Sequence, residues 1–190
     1  MGIQAGGRIR EAMTFRSSPA PPRDDLAATV AWLRDRELIK DVYSRYAFGV
    51  DSMNIDLLRE TVFHPDCVIV GTMEEGQLED YLQGLAESLP AYEITMHFKG
   101  NQYVELDGDK AFVETWVVAY HLEEPRSPLQ DLHLAVRYMD DMVRFSDDWR
   151  IIRRVLAKQW HKGPLPRPFV GEAPYPRRKH ESRIRNDGEA

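Results

Sequence analysis

The spacing of apolar residues changes at Pro90, and this change constrains the fold more than any other feature of the chain. Before Pro90, Leu38, Val42, Tyr46 and Val50 recur every four residues, which is typical of one face of an amphipathic helix. After Pro90, apolar and polar residues mostly alternate, as they do in β-strands. Helical segments followed by a run of strands predict an α+β fold. We expect a cone-shaped α+β barrel, with three N-terminal helices packed on a curved, mostly antiparallel sheet.

Capping and breaking residues set the boundaries of the predicted elements. Asp24 or Asp25 can cap the first helix, Asn54 can cap the second, and Pro90 ends the third. The predicted helices span residues 24–50, 55–63 and 77–88, and residues 64–66 separate the second helix from the first strand. The predicted strands span residues 67–70, 93–98, 102–106, 111–122, 132–145 and 149–160, with hairpin turns at 107–109 and 146–148.

The chain divides into one predicted domain and two terminal segments. Residues 1–23 are polar and end in SSPAPPR, which predicts a disordered or loosely attached arm. Residues 24–161 form the predicted domain. Residues 162–190 hold five of the twelve prolines and a scatter of arginines, and they show no helix or strand period. We expect a tail there whose few apolar residues, Leu165, Phe169 and Val170, can dock on the domain or on a partner.

Charge and composition exclude several classes of protein. The net charge of −6 and the pI of about 5.5 argue against nucleic-acid binding, which needs a basic surface. A single cysteine, Cys67, allows no intrachain disulfide and agrees with a reducing compartment. No apolar run approaches the roughly 20 residues that a membrane-spanning helix needs. We therefore expect a cytoplasmic protein that binds neither nucleic acid nor a membrane.

Both faces of the predicted strand 111–122 are largely apolar. One face carries Val113, Thr115, Val117, Ala119 and His121, and the other carries Phe112, Glu114, Trp116, Val118 and Tyr120. Strands that are apolar on both faces are usually covered on both. Because the helices can cover only one face, we predict a homodimer or a higher homo-oligomer that packs through the other.

An aspartate and a histidine are the leading candidates for chemistry. Asp51 ends the first helix, and His97 shares the more polar face of its strand with Thr95. A carboxylate can orient an imidazole and stabilise its charged form, and imidazole is a base that works near neutral pH. Each residue also has an ordinary structural interpretation, as a helix-end cap or as a wall residue. The pair indicates catalysis if the fold brings the two side chains together.

Other polar residues could complete such a pocket. His121 could act as a second acid or a substrate donor, and Tyr43 and Tyr46 lie on the first helix. Val117 and Ala119 share the pocket-facing side with His121 and are predicted substrate contacts. Arg153 and Arg154 point to opposite faces, and Arg153 is the predicted pocket residue for an anionic group. No HxH, HxxxH or CxxC pattern occurs, so no metal site is predicted. No GxGxxG or GxxxxGK[ST] motif occurs either, and no cofactor is predicted.

Several runs of the sequence resemble SnoaL-like proteins of the nuclear transport factor 2-like superfamily. The runs are IKDVYSRYAFGVDSMNIDLLRETVFHPDCVIV, MHFKGN, DGDKAFVETWVVAYH and RYMDDMVRFSDDWRIIRR, which together cover about residues 35–161. The resemblance implies the α+β fold. It also places Asp51 and His97 where the family's dehydratases and dehydrochlorinases carry an orienting aspartate and a histidine base. Tyr46 stands at the position of an active-site tyrosine in one of these enzymes, and His121 stands near a second histidine in another.

The sequence therefore predicts a cofactor-free lyase, a dehydratase or related eliminase, acting on a small, largely apolar, cyclic substrate. His97 is the predicted base, Asp51 orients it, and Tyr46 or His121 protonates the departing group or polarises a carbonyl. Two alternatives stay open. The same pair could serve an isomerase or a cyclase, or it could be a buried structural pair in a non-catalytic binding module.

Overall fold

The first two helices of the molecule each begin at a residue whose side chain caps the helix. The structure, a computed structural model, describes residues 20–71, 76–124 and 131–165. Helix α1 (Leu26–Asp51) begins where Asp25 Oδ1 accepts a hydrogen bond from the Ala28 N–H at 2.8 Å. Helix α2 (Ile55–Thr61) begins in the same way at Asn54, which accepts from the Leu57 N–H at 3.0 Å. Both predicted caps are confirmed.

Six strands form one sheet, on which the helices pack. Helix α3 (Leu78–Ser88) and a 3-10 turn (Leu89–Ala91) complete the helical layer. The strands are β1 (Phe63–Val70), β2 (Gly76–Gln77), β3 (Ile94–Asp107), β4 (Lys110–Leu122), β5 (Leu132–Phe145) and β6 (Asp148–Lys162). Their order across the sheet is β2-β1-β6-β5-β4-β3, and every neighbouring pair is antiparallel except β1 and β6. The predicted α+β class and helix-on-sheet arrangement are confirmed; the curved sheet is open, with β2 and β3 at its edges.

Two predicted boundaries were wrong. The second helix ends at Thr61 and β1 begins at Phe63, so residues 64–66 lie inside a strand. The register of β1 on β6 shifts between Phe63 and Val68, and Pro65, which has no N–H to donate, falls within this irregular stretch. The predicted strands 93–98 and 102–106 are one strand, because β3 continues through a register shift between Lys99 and Gln102.

The close approach of α1 and α2 positions the end of α1. A Cβ on Gly49 would lie 2.5 Å from Leu58 Cδ2, so only glycine fits at this crossing without displacing Leu58. The helix continues through Gly49 as far as Asp51. Asp51 is therefore carried on a rigid element to the edge of the sheet.

The main core lies between the helices and one face of the sheet, here called the inner face. It contains α1 residues such as Ile39, Val42 and Val50 together with the inward residues of β4, β5 and β6. Leu165, just beyond β6, also packs against this core, as predicted for the start of the tail. Phe169, Val170 and most of both predicted terminal segments lie outside the described residues. Within the described part of the chain, no helix is long and apolar enough to cross a membrane.

Candidate active site

The fold brings Asp51 and His97 into direct contact. Asp51 Oδ1 lies 2.6 Å from His97 Nδ1, and Asp51 Oδ2 accepts the His97 backbone N–H at 2.8 Å. The Thr95 hydroxyl donates to Asp51 Oδ1 at 3.2 Å. Both carboxylate oxygens of Asp51 are thus hydrogen-bonded to residues of β3. With Nδ1–H donating to the carboxylate, His97 Nε2 is the nitrogen left to accept a proton from a ligand.

The surroundings keep Asp51 ionised. Partial burial by itself raises the pKa of this carboxyl, but the hydrogen bonds from the His97 side chain, the His97 backbone and Thr95 outweigh it. The pKa of Asp51 is therefore lowered from its ordinary value. An ionised carboxylate at this position stabilises His97 when the imidazole becomes charged, which is what a general base requires of its partner.

His97 forms part of the wall of a cavity of about 110 Å³ between the helical layer and the inner face. The lining is mostly apolar, with a few polar groups that converge near His97, as is usual for small-molecule sites. The lining residues are Tyr46, Val50, Tyr81, Leu85, Ser88, Leu89, Tyr92, His97, Ala119, His121, Leu132, Leu134, Val136, Tyr138 and Leu156. Asp51 contacts His97 from outside this lining, as an orienting group would.

Comparison with known sequences decides the family. The SnoaL-like domain model matches residues 31–155. The chain belongs to the SnoaL-like family. The uncharacterized proteins Rv2910c of Mycobacterium tuberculosis and Mb2934c of Mycobacterium bovis are both 32% identical to it over 139 residues, which is 70% of this chain and 92% of each relative.

Solved structures show that this SnoaL-like domain has the nuclear transport factor 2-like fold. A scytalone dehydratase-like protein of Novosphingobium aromaticivorans superimposes with a TM-score of 0.67 at 22% identity, covering 76% of this chain and 99% of that one. The Kfla4162 protein of Kribbella flavida gives 0.62 at 24% identity, covering 69% and 95%. A hexachlorocyclohexane dehydrochlorinase, LinA type 2, gives 0.60 at 21% identity, covering 74% and 96%.

Four of the predicted residues line the cavity of the SnoaL-like domain: Tyr46, His97, Ala119 and His121. The ring centre of Tyr46 lies 6.1 Å from the ring centre of His97, and the two rings meet edge to face. The ring centre of His121 lies 5.6 Å from that of His97. Burial, and then repulsion from His97, lower the pKa of His121 to about 4. His121 is therefore neutral near pH 7 and is better suited to hydrogen bonding than to acid catalysis.

Three predicted contacts do not line the cavity. Val117 is buried in the core, one inward-facing position along β4 from Ala119. Tyr43 turns away and donates its hydroxyl to Asp140 Oδ2 at 2.6 Å. Arg153 lies on the outer side of the sheet, with Nη1 3.8 Å from Asp141 Oδ2.

A β-bulge explains why Arg154, not Arg153, points inward. Strict alternation from the buried Trp149 and Ile151 would place Arg153 on the inner face. However, Ile151 pairs with Met142 while Arg153 pairs with the adjacent Asp141, so β6 holds one extra residue, Ile152. An extra residue exchanges the two faces of a strand beyond it. Arg154 is accordingly fully buried.

Tyr81 and Tyr138 are site residues that the sequence-based prediction missed. Tyr81 lies on α3 among the apolar positions Leu78, Leu82 and Leu85, whose helical spacing marks the face that meets the sheet. Tyr138 shares the inner face of β5 with Val136. A search for tyrosines on inward faces would have found both. Among the described residues, no three His, Cys, Asp or Glu side chains are grouped so that they could hold a metal ion.

Proposed function

We propose that this protein is a lyase of the dehydratase type that works by proton transfer alone on a small, largely apolar substrate. The observation that carries the proposal is the Asp51–His97 contact in the wall of a mostly apolar cavity. The fold supports it, because structural neighbours include a scytalone dehydratase-like protein and a dehydrochlorinase.

The geometry supports a separate role for each of three side chains. His97 Nε2 takes a proton from a substrate carbon, and Asp51 stabilises the imidazolium that results. Tyr46, whose ring lies 6.1 Å from that of His97, donates its hydroxyl proton to an oxygen of the same substrate. Since both His97 and Tyr46 line one cavity, both can act on a single bound molecule.

The size of the cavity limits the substrate. An apolar cavity of about 150 Å³ holds a benzene molecule, whereas this one measures about 110 Å³. A steroid-sized molecule does not fit inside it. We expect the reacting part to be no larger than a small ring, with the remainder extending past Ser88 and Tyr92, which are only partly buried.

The proposal is tested with a panel of small cyclic alcohols, halides and hydroxy ketones incubated with the full chain in D₂O. Mass spectrometry follows both loss of water or HX and uptake of deuterium. We expect turnover of a panel member, reduced about 10²–10⁴-fold by His97→Ala and about 10²-fold by Asp51→Asn. His64→Gln, which changes a histidine outside the cavity, serves as the matched control.

Three results bear on the proposal. Folded His97→Ala and Asp51→Asn proteins with full turnover would show that the pair is not catalytic. A product of unchanged mass with a relocated double bond would identify an isomerase instead. If no panel member reacts with the wild-type protein although several bind, the non-catalytic binding interpretation replaces the lyase.

A further inference from the structure

The centre of the outer face of the sheet is buried, whereas the side of the same face toward β3 is exposed. Met139 on β5 and Val155 and Ala157 on β6 are only 7%, 9% and 1% exposed, and they form a small apolar cluster apart from the main core. Phe112 on β4 packs against this cluster. On β3, by contrast, Phe98 is 64% exposed. We call Phe112, Met139, Val155 and Ala157 the central strip.

The central strip is narrow, and the described helices do not cover it, because they pack on the inner face. Its members lie on three neighbouring strands, β4, β5 and β6, and the outer two of these are roughly 10 Å apart. A cover of that width corresponds to one extended segment of chain and not to a whole second subunit. Apolar surface is stabilised when such a segment removes it from water. The strip therefore suits a single segment that carries apolar residues.

One end of the central strip opens into a depression with acidic walls. The depression has a volume of about 440 Å³, and its lining includes Glu105, Asp107 and Asp141 together with Phe112 of the strip. The register of the sheet places Glu105, Phe112 and Asp141 side by side on β3, β4 and β5. We call the three carboxylates and the space between them the acidic depression.

Two cations of the folded domain lie near the acidic depression but do not neutralise it. Lys110 is part of the lining. Arg153 Nη1 lies 3.8 Å from Asp141 Oδ2, which is longer than a hydrogen bond, and both side chains are partly exposed. A carboxylate has about four acceptor sites, so Asp141 can accept a further cation. The depression therefore suits a second, basic group brought by the segment that covers the strip.

The segment that follows Leu165 carries apolar and basic residues in the same order. The apolar residues Phe169, Val170 and Tyr175 come first, and the sequence RRK follows at residues 177–179, here called the basic run. Proline-rich segments favour extended conformations, and five of the twelve prolines of the chain lie after Lys162.

Charge also distinguishes this segment from the rest of the chain. The whole chain has a net charge of −6, yet residues 166–190 hold six Lys or Arg and only four Asp or Glu. The basic segment and the acidic domain therefore attract each other. The attraction is strongest where carboxylates are grouped, as they are in the acidic depression.

The basic run lies far enough along the chain to reach the acidic depression. Leu165 packs against the main core just beyond β6, so the segment starts at the end of that strand. Arg153, which pairs with Asp141, lies nine positions before the end of β6, or about 30 Å of strand. Twelve positions separate Leu165 from Arg177, and an extended chain of that length spans about 40 Å. The remaining 10 Å or so is enough to pass around the end of the sheet.

We propose that residues 166–179 of the same chain lie along the central strip and that the basic run binds the carboxylates of the acidic depression. The apolar residues of the segment remove the strip from water, and Arg177, Arg178 and Lys179 hold its far end. Neither Asp51 nor His97 takes part, so this inference does not depend on the proposed function.

The test is zero-length cross-linking of the full chain with a carbodiimide, which joins an amine to a carboxylate only when the two are in contact. We expect Lys179 to be joined to a carboxylate of the acidic depression, and mass spectrometry of the digested protein identifies the pair. A mixture of ¹⁵N-labelled and unlabelled chains separates links within one chain from links between two. Lys40, whose Nζ lies 2.5 Å from Glu37 Oε1, gives a cross-link that controls for the reaction itself.

Substitutions in the segment test the contacts without altering the folded domain. Arg177→Glu combined with Arg178→Glu keeps Lys179 and should lower the yield of its cross-link about tenfold, because two ion pairs are lost and repulsion replaces them. Tyr175→Ser should lower the yield several-fold, because it removes an apolar contact with the strip. Arg167→Glu makes the same charge change at the start of the segment, too early to reach the depression. It is the matched control and should leave the yield unchanged.

Four results would overturn the proposal. Lys179 joined mainly to carboxylates of the helical layer, such as Glu79 or Glu87, would place the basic run elsewhere. Cross-links that combine the two isotopic forms would show that the segment docks on a second copy of the chain. A sample in which Lys40 is joined to Glu37 but Lys179 to nothing would show that the basic run is not docked. A yield unaffected by the paired arginine substitutions would show that the carboxylates do not hold it.

Discussion

The two faces of strand β4 have similar apolar content but very different surroundings. On the inner face, Thr115, Val117, Ala119 and His121 are buried under the helical layer. On the outer face, Trp116 is 45% exposed. Among the described residues, no helix packs on this outer face. Alternation alone therefore produces one face that lines a cavity and another on which a large aromatic side chain stays half exposed.

The exposed apolar residues of the outer face form one patch across the sheet. It contains Ile94, Met96 and Phe98 on β3, Trp116 on β4 and Trp160 on β6, which we call the outer patch. Register places Phe98 beside Val118, and Trp160 beside Ala135, so the patch is continuous. Large exposed apolar patches mark interaction surfaces. We propose that a second copy of this chain covers it.

The largest difference between the faces is expected for the adjacent arginines of β6. Arg154→Met leaves Asp140 buried without its cation and should lower the free energy of unfolding by about 3–5 kcal/mol. Arg153→Met, on the outer face, should change it by less than about 0.5 kcal/mol. Urea unfolding followed by circular dichroism measures both. Equal effects would mean that the bulge at Ile152 does not exchange the two side chains as described.

A second difference concerns the histidines of the two faces. The pKa of His121 is about 4 in the folded protein and about 6.5 when unfolded, so the unfolded state binds more protons between these values. The free energy of unfolding that depends on neutral His121 is therefore fully present above pH 6.5. It is lost as the pH falls toward 4, and the loss is at most about 3 kcal/mol.

His121→Gln should flatten this part of the stability–pH curve. His133→Gln, on the outer face, is the matched control. Chemical unfolding at a series of pH values checks this prediction. A curve with the same slope in His121→Gln would assign the acid sensitivity to another group.

The smallest effect is expected for single changes in the outer patch. Phe98→Lys places a charge in the proposed interface and should weaken self-association about tenfold or more, a typical effect for a buried aromatic anchor. The stability of the isolated subunit should change little, since Phe98 is already 64% exposed. Analytical ultracentrifugation across a concentration series gives the dissociation constant. A wild-type protein that stays monomeric at high concentration would contradict the proposed dimer.

Much of the fold and part of the site could be predicted from sequence because they depend on local patterns. The helical period before Pro90, the caps at Asp25 and Asn54 and the alternation after Pro90 all act over a few residues, and the structure confirms them. The contact of Asp51 with His97 was predicted from a family resemblance, and the geometry is as expected.

Other features of the site depend on register shifts that no local pattern reveals. One extra residue at Ile152 moves Arg154 inward and Arg153 outward, and alternation alone predicts the opposite. Tyr46, Tyr81 and Tyr138 lie on α1, α3 and β5 and line one cavity. They are separated by 35 and 57 positions along the chain, counted from Tyr46 to Tyr81 and from Tyr81 to Tyr138. Whether three such distant residues meet depends on how the helices pack on the sheet, and their spacing in the sequence does not reveal it.

The sequence by itself determined the class of fold, the limits of most elements and which residues are candidates for proton transfer. Those properties follow from periodicity and from side-chain chemistry, which are local. Only the tertiary structure decided which tyrosines line the cavity, which arginine is buried beside their rings and how small the cavity is. These depend on the crossing of α1 over the sheet and on one bulge in β6, where a shift of a single residue exchanges the two faces of a strand.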